Sequence, residues 1–171
     1  MAAKEGVFPC YENQFHVGAT KESKTTIAEC ESFSVSIDNG VETWNSFTEE
    51  GWQKALQTAK AITISVSAKR SIGDTGNDFV AGKWLANGQD AYAYFDWTFP
   101  DGTVVAWEKA VINVTNINGG DSTNVAPLEF DIVSNGKPTV TRIPVEAAQE
   151  APLANQAVVV DESEATAKSK K

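Results

Sequence analysis

Between residues 41 and 82 the apolar positions change their period twice. Trp52, Ala55, Leu56 and Ala59 recur at i, i+3, i+4 and i+7, with Gln53, Lys54 and Gln57 on the opposite side, a spacing that predicts a helix over about 49–59 with one buried stripe. Thr48 stands where an N-cap belongs, and Glu49 and Glu50 fill the first turn, where carboxylates meet the positive end of the helix dipole. Gly51 at N3 leaves the capping box incomplete, so this short helix must be held by packing. After Lys60 the pattern alternates, with Ile62, Ile64, Val66 and Ala68 on one side and Thr63, Ser65, Ser67 and Lys69 on the other. That is a half-buried strand with a hydroxyl-rich exposed face.

The same alternation recurs along the chain. Residues 11–18 read as a short strand. Phe33, Val35 and Ile37 then alternate with Ser32, Ser34 and Ser36 before Asp38-Asn39-Gly40 turns the chain into a hairpin over 41–47, with Trp44 and Phe47 as core side chains. Residues 71–78 form a turn, and 79–85 a helical turn or two that stops at Asn87-Gly88. Residues 90–99 and 103–117 are long strands joined by Pro100-Asp101-Gly102. Their aromatics, Tyr92, Tyr94, Phe95, Trp97, Phe99 and Trp107, suit core packing better than a sugar- or base-stacking platform. Leu128, Phe130 and Ile132 alternate with Glu129, Asp131 and Val133, and Asn135-Gly136 leads into a closing hairpin over 139–145. The chain therefore reads as mainly β: an extended N-terminal arm over 1–10, a domain over 11–146 and a polar tail over 147–171. In that tail Val158, Val159 and Val160 are suited to adding as an edge strand to a neighbour.

Length and composition keep this to one domain, because 171 residues with 42% hydrophobic content can bury a single core. A formal charge of −9 sets the surface against free nucleic acid and also serves solubility. There is no apolar run near the ~20 residues a bilayer requires and no signal-peptide h-region, so the chain reads as cytoplasmic or assembled in cytoplasm. Cys10 and Cys30 lack CxxC spacing and read as reduced structural thiols, a disulfide requiring Cα atoms within about 7 Å. A single histidine, His16, makes a metal site improbable, and no cofactor is expected. Gly73-Asp74-Thr75-Gly76 contains the Asp-Thr-Gly of aspartic proteases but lacks the hydrophobic strand that precedes it there. Asp74 and Asp78 lack EF-hand spacing, so turn chemistry explains them better than calcium. With no nucleophile–base pair and no phosphate loop, the expectation is that the chain is not an enzyme.

Trp44, Phe47, Glu50-Gly51-Trp52, Leu56, Thr58-Ala59-Lys60, Thr63-Ile64-Ser65, Lys69-Arg70 and Gly73 through Asp78, taken in order, resemble the major tail tube proteins of long, non-contractile-tailed bacteriophages. The resemblance covers roughly residues 35–145 and is strongest up to Gly82. It implies a β-sandwich, barrel-like, with one flanking helix, six copies of which close a ring around an inner β-barrel. Rings would stack into a tube, in the virion tail, around a tape-measure protein and between tube-end proteins, and the genome would pass through without specific binding. On that reading Ser32, Ser34, Ser36, Thr63, Ser65, Ser67, Glu129 and Asp131 are candidate lumen-facing residues. Gly73, Asp74, Asn77, Asp78 and Phe79, with Val158 to Val160, are candidate contacts between rings or subunits. The alternative is a monomeric β-sandwich module for carbohydrate or adhesion, reading its ligand through Tyr92, Tyr94 and Trp97.

Overall fold

A computed structural model of the chain describes residues 6–142. Ten strands and one helix follow in order: β1 Gln14–Gly18, β2 Thr25–Thr26, β3 Cys30–Asp38, β4 Val41–Asn45, β5 Gln53–Gln57, β6 Ala61–Lys69, α1 Thr75–Ala81, β7 Tyr92–Thr98, β8 Val104–Ile117, β9 Pro127–Val133 and β10 Thr139–Thr141. The main sheet runs β2-β1-β7-β8-β9-β6-β3, with β10 also on β8. Its paired strands run antiparallel. The sheet curls until its two ends face each other, as Phe15 of β1 meets Phe33 of β3 edge-to-face with ring centroids 5.0 Å apart. The mainly β content is the class expected from the alternating segments, and the sandwich-like layering is the one that the resemblance implies.

The core fills the inside of that curl. Phe95, Phe130, Ile64, Leu128, Val17 and Val80 are fully buried, and each comes from the apolar phase of its strand or from α1. Phe15 stacks on Phe95 at 6.0 Å, Phe95 lies 6.0 Å from Trp107, and Trp97 meets Phe33 at 5.9 Å. Aromatic mass on β7 and β8 therefore packs across the sheet, as its alternation indicates.

Several local expectations are corrected. The helix over 49–59 is instead a β-hairpin: a single 3-10 turn at Phe47–Glu49, capped by Ser46, followed by β5 paired with β4 in a separate two-stranded sheet. Glu50 and Gly51 take φ of +50° and +87°, two left-handed residues in succession that no α-helix contains. The supposed buried stripe is consequently split: Trp52 is 78% and Leu56 58% exposed, and Ala55 and Ala59 are also exposed. Trp44 and Phe47 are likewise exposed and not core. The chain does reverse at 38–40, but β4 pairs with β5 and not back onto β3.

The helix lies later, at α1. Asp74 accepts a hydrogen bond from the Asn77 N–H at 2.7 Å, which is the N-cap of this helix. Gly76 is required there because a Cβ would stand 2.3 Å from the carbonyl oxygen of Thr26. The last correction concerns β10, which does not fold back on β9. Both run antiparallel to β8, β9 along 111–117 and β10 along 104–106, so β10 resumes the direction of β9 after a break. Val158 to Val160 lie outside the described residues.

Candidate assembly surfaces

The serine-faced strands come together on one surface. Register places Ser34 beside Ser65, Ser65 beside Asp131 and Asp131 beside Asn113, and in the next row Ser32, Ser67, Glu129 and Asn116. Ser36 and Thr63 head a third row that ends in Val133 and Val111. Alternation turns the intervening row, Val35, Ile64, Ile132 and Ile112, toward the interior side. All eight residues singled out for a polar wall thus share one face of three adjacent strands, β3, β6 and β9.

The surface is cross-linked by its own side chains. Ser65 Oγ donates to Asp131 Oδ1 at 2.6 Å, Asn113 Nδ2 donates to Asp131 Oδ2 at 3.3 Å, and Asn116 Nδ2 donates to Glu129 Oε2 at 3.3 Å. Neutral donors hold both carboxylates in place while leaving their charge uncompensated by these bonds. The wall is ordered, hydroxyl-rich and negative.

Residues 70–79 are used differently. Asn77 is fully buried. Its Nδ2 donates to the carbonyls of Lys69 and Ala28 at 2.8 and 3.2 Å, and its Oδ1 accepts from Arg70 Nη1 and the Ser71 N–H at 2.8 and 3.0 Å. Asp74 also accepts from the Ala28 N–H at 3.3 Å, Asp78 pairs with Arg70 at 2.6 Å and accepts from the Gly73 N–H at 3.0 Å, and Phe79 packs against the core. Arg70 holds the Asp78 carboxyl below the usual carboxylate range. The Asp-rich turn is an internal clasp joining α1 to the start of β3 and the end of β6. Among the described residues no group of three or more His, Cys, Asp or Glu is placed to hold a metal.

Two surfaces stand without partners in the described chain. The β4–β5 hairpin makes its main contacts only within itself, yet it presents Trp44, Phe47, Trp52 and Leu56 to solvent. An isolated two-stranded hairpin is marginal in water, and an aromatic patch of this kind is the mark of an interface. The sequence signal for it was the exposed apolar set itself, read as a helix stripe. The second is β3, a nine-residue strand that ends the sheet, so one long edge carries unpaired backbone groups.

No protein-family model and no curated protein matches the chain. Solved structures do. The chain is similar to a subunit in the tail of an empty gene transfer agent particle, with TM-score 0.61 and 18% identity over 81% of this chain and 100% of that one. The chain has the tail-tube fold. A subunit of the native gene transfer agent virion matches at TM-score 0.61 and 18% identity, covering 79% of this chain and 99% of that one. The sheath/tube terminator of an extracellular contractile injection system matches at TM-score 0.57 and 14% identity, covering 81% and 99% respectively. A long edge strand and an exposed aromatic hairpin in one small domain are both surfaces of the kind that a partner can cover.

Proposed function

We propose that the chain is a structural tail-tube subunit that self-assembles into stacked, hexameric rings, forming the virion-tail conduit for genome ejection after assembly in the host cytoplasm. The observation that carries this reading is the β4–β5 hairpin, whose aromatic side chains are exposed and lie outside the core in the described chain. It supplies a contact between rings, while the free edge of β3 supplies strand pairing between neighbours around a ring. The Ser/Asp/Glu wall then lines the lumen, where negative charge repels phosphates and lets DNA slide without specific binding. Asn77 and Asp74 serve this surface from inside, by setting the position of the exposed Ile72–Gly73 turn.

The structural neighbours include a contractile injection system, so the fold supports a tube subunit, and the non-contractile kind of tail rests on the sequence resemblance alone. A tape-measure protein inside and terminator proteins at the ends are the partners that resemblance implies. The monomeric sugar-binding alternative loses its platform: Trp97 turns inward to Phe15 and Phe33, whereas Tyr92 and Tyr94 lie on the opposite phase of β7. Nothing in this reading calls for catalysis.

Electron microscopy of concentrated purified protein tests the proposal. Rings or tubes with a pore are expected for the native chain, and Phe47→Ser with Trp52→Ser is expected to leave folded monomers that do not stack. Monomers under every assembly condition, or tubes unaffected by the double substitution, would overturn it.

A further inference from the structure

A groove of about 550 Å³ separates the two ends of the curled sheet. Gln14 and Phe15 of β1 line one side, and the four consecutive residues 30–33 of β3 line the other. Successive side chains of a strand point to opposite faces, so a wall made of four consecutive residues is the strand's edge. The other edge of β3 is taken by β6. The groove is therefore backed by an edge of β3 that has no strand partner among the described residues, above an aromatic floor of Phe15 and Phe33, a slot shaped for one more extended strand.

The far end of the described chain points to the occupant. Thr141 pairs with Val104, Val104 with Thr98, and Thr98 with Gln14. The chain thus leaves β10 in the same cross-strand row as the groove, about 14 Å away at three strand spacings of ~4.8 Å. Residues 143–156 can span up to about 46 Å, more than three times that gap. The first run of three β-branched residues they reach is Val158-Val159-Val160, and no other such run follows Arg142. β-branched side chains are those that strand positions favour.

We propose that residues 157–160 dock in this groove of their own chain, pairing with the free edge of β3 and covering it until a neighbouring subunit takes the edge. The docking stands on the groove and the reach of the chain; only the exchange with a neighbour rests on the tube reading. Cys10 and Cys30 both line the groove and are free cysteines, so the chain carries its own reporters.

Alkylation of each cysteine by iodoacetamide, followed by peptide mass spectrometry, is compared between the native full-length monomer and Val158→Ser/Val159→Ser/Val160→Ser. Loss of docking is expected to speed Cys30 alkylation by roughly tenfold, corresponding to about 1.4 kcal/mol of held segment. Equal rates overturn the proposal. In a second arm, Val159→Cys is oxidised with diamide, which takes up the two electrons and two protons that two thiols release. An intrachain disulfide from position 159 to Cys30 or Cys10 supports docking in the same chain. Disulfides only between copies, or none, overturn it. Both arms are read on monomer, so failure to form tubes would strike the proposed function and leave this inference standing.

Discussion

Phe15 and Phe33 touch edge-to-face at 5.0 Å although their strands lie five places apart in the sheet order. No hydrogen bond between strands brings them together; the contact exists only because the sheet curls. Phe15 is 5% exposed and also packs on Phe95 and Trp97, so it closes the core where the ladder does not. Phe15→Ala is expected to cost about 3–5 kcal/mol, measured by urea unfolding. Phe33→Ala should cost less, because Phe33 is only half-buried. Equal, small losses from both would mean that the curl does not depend on this contact.

Asn77 anchors α1 more firmly than its cap does. Asn77→Ala leaves two carbonyls, the Arg70 guanidinium and the Ser71 N–H without their side-chain partner, and buried groups so stranded cost about 1–3 kcal/mol each before relaxation. A total near 3 kcal/mol is expected, against about 1 kcal/mol for Asp74→Ala at the N-cap. The ranking, read from denaturant midpoints, is the test: a cap variant worse than the Asn77 variant would contradict it.

The strands were legible in the sequence and the hairpin was not, for one physical reason. Alternation along residues 62–69 and 128–133 arises because one face meets the core, so periodicity there reports directly on burial, whereas on β3 only Phe33 packs against the core. Trp52, Ala55 and Leu56 have a helical spacing, but within the described chain they meet no core that would make spacing informative. Apolar residues that meet no core carry no period that reports on burial. Conversely, α1 hid inside Gly-Asp-Thr-Gly-Asn-Asp because cap residues and turn residues are the same types. Only the approach of Gly76 to Thr26, a tertiary fact, separates the two.

The two ends of the pH scale should find different groups. Asp78 has its carboxyl pKa lowered, first by the hydrogen bond from Arg70 and then by the Gly73 N–H. A lowered folded-state value gives stability that is present above the ordinary 3.8 and lost as pH falls through the folded value. The stability gap between the native chain and Asp78→Asn should therefore shrink below about pH 4, as followed by acid titration of urea midpoints; a constant gap would dissociate Asp78 from acid sensitivity. At the other end, Cys30 Sγ lies 3.5 Å from the Ile27 carbonyl. Desolvation, then the charges of Asp74 and Glu29, push its thiol from 9.0 up to about 11. Its contribution is complete below pH 9 and lost as pH rises from 9 to about 11. Cys30→Ser should flatten that alkaline limb, and an unchanged limb would assign it to other groups.

The polar wall gives the prediction closest to function. Asp131 and Glu129 accept only from Ser65, Asn113 and Asn116 in the hydrogen bonds of that face, so replacing both by lysine removes acceptors that neutral donors can redirect to water. Their half-exposed positions on the outer phase of β9 keep the buried Leu128, Phe130 and Ile132 untouched. Glu129→Lys/Asp131→Lys is thus expected to keep the fold and the ability to assemble. Two negative charges per subunit become two positive ones, and a lumen lined this way would hold phosphates by counterion release, a force that weakens steeply as salt rises. Genome ejection from particles carrying the double substitution should slow, and slow most at low ionic strength. Ejection at the native rate across salt concentrations would place these carboxylates away from the path of the DNA, whatever else the tube does.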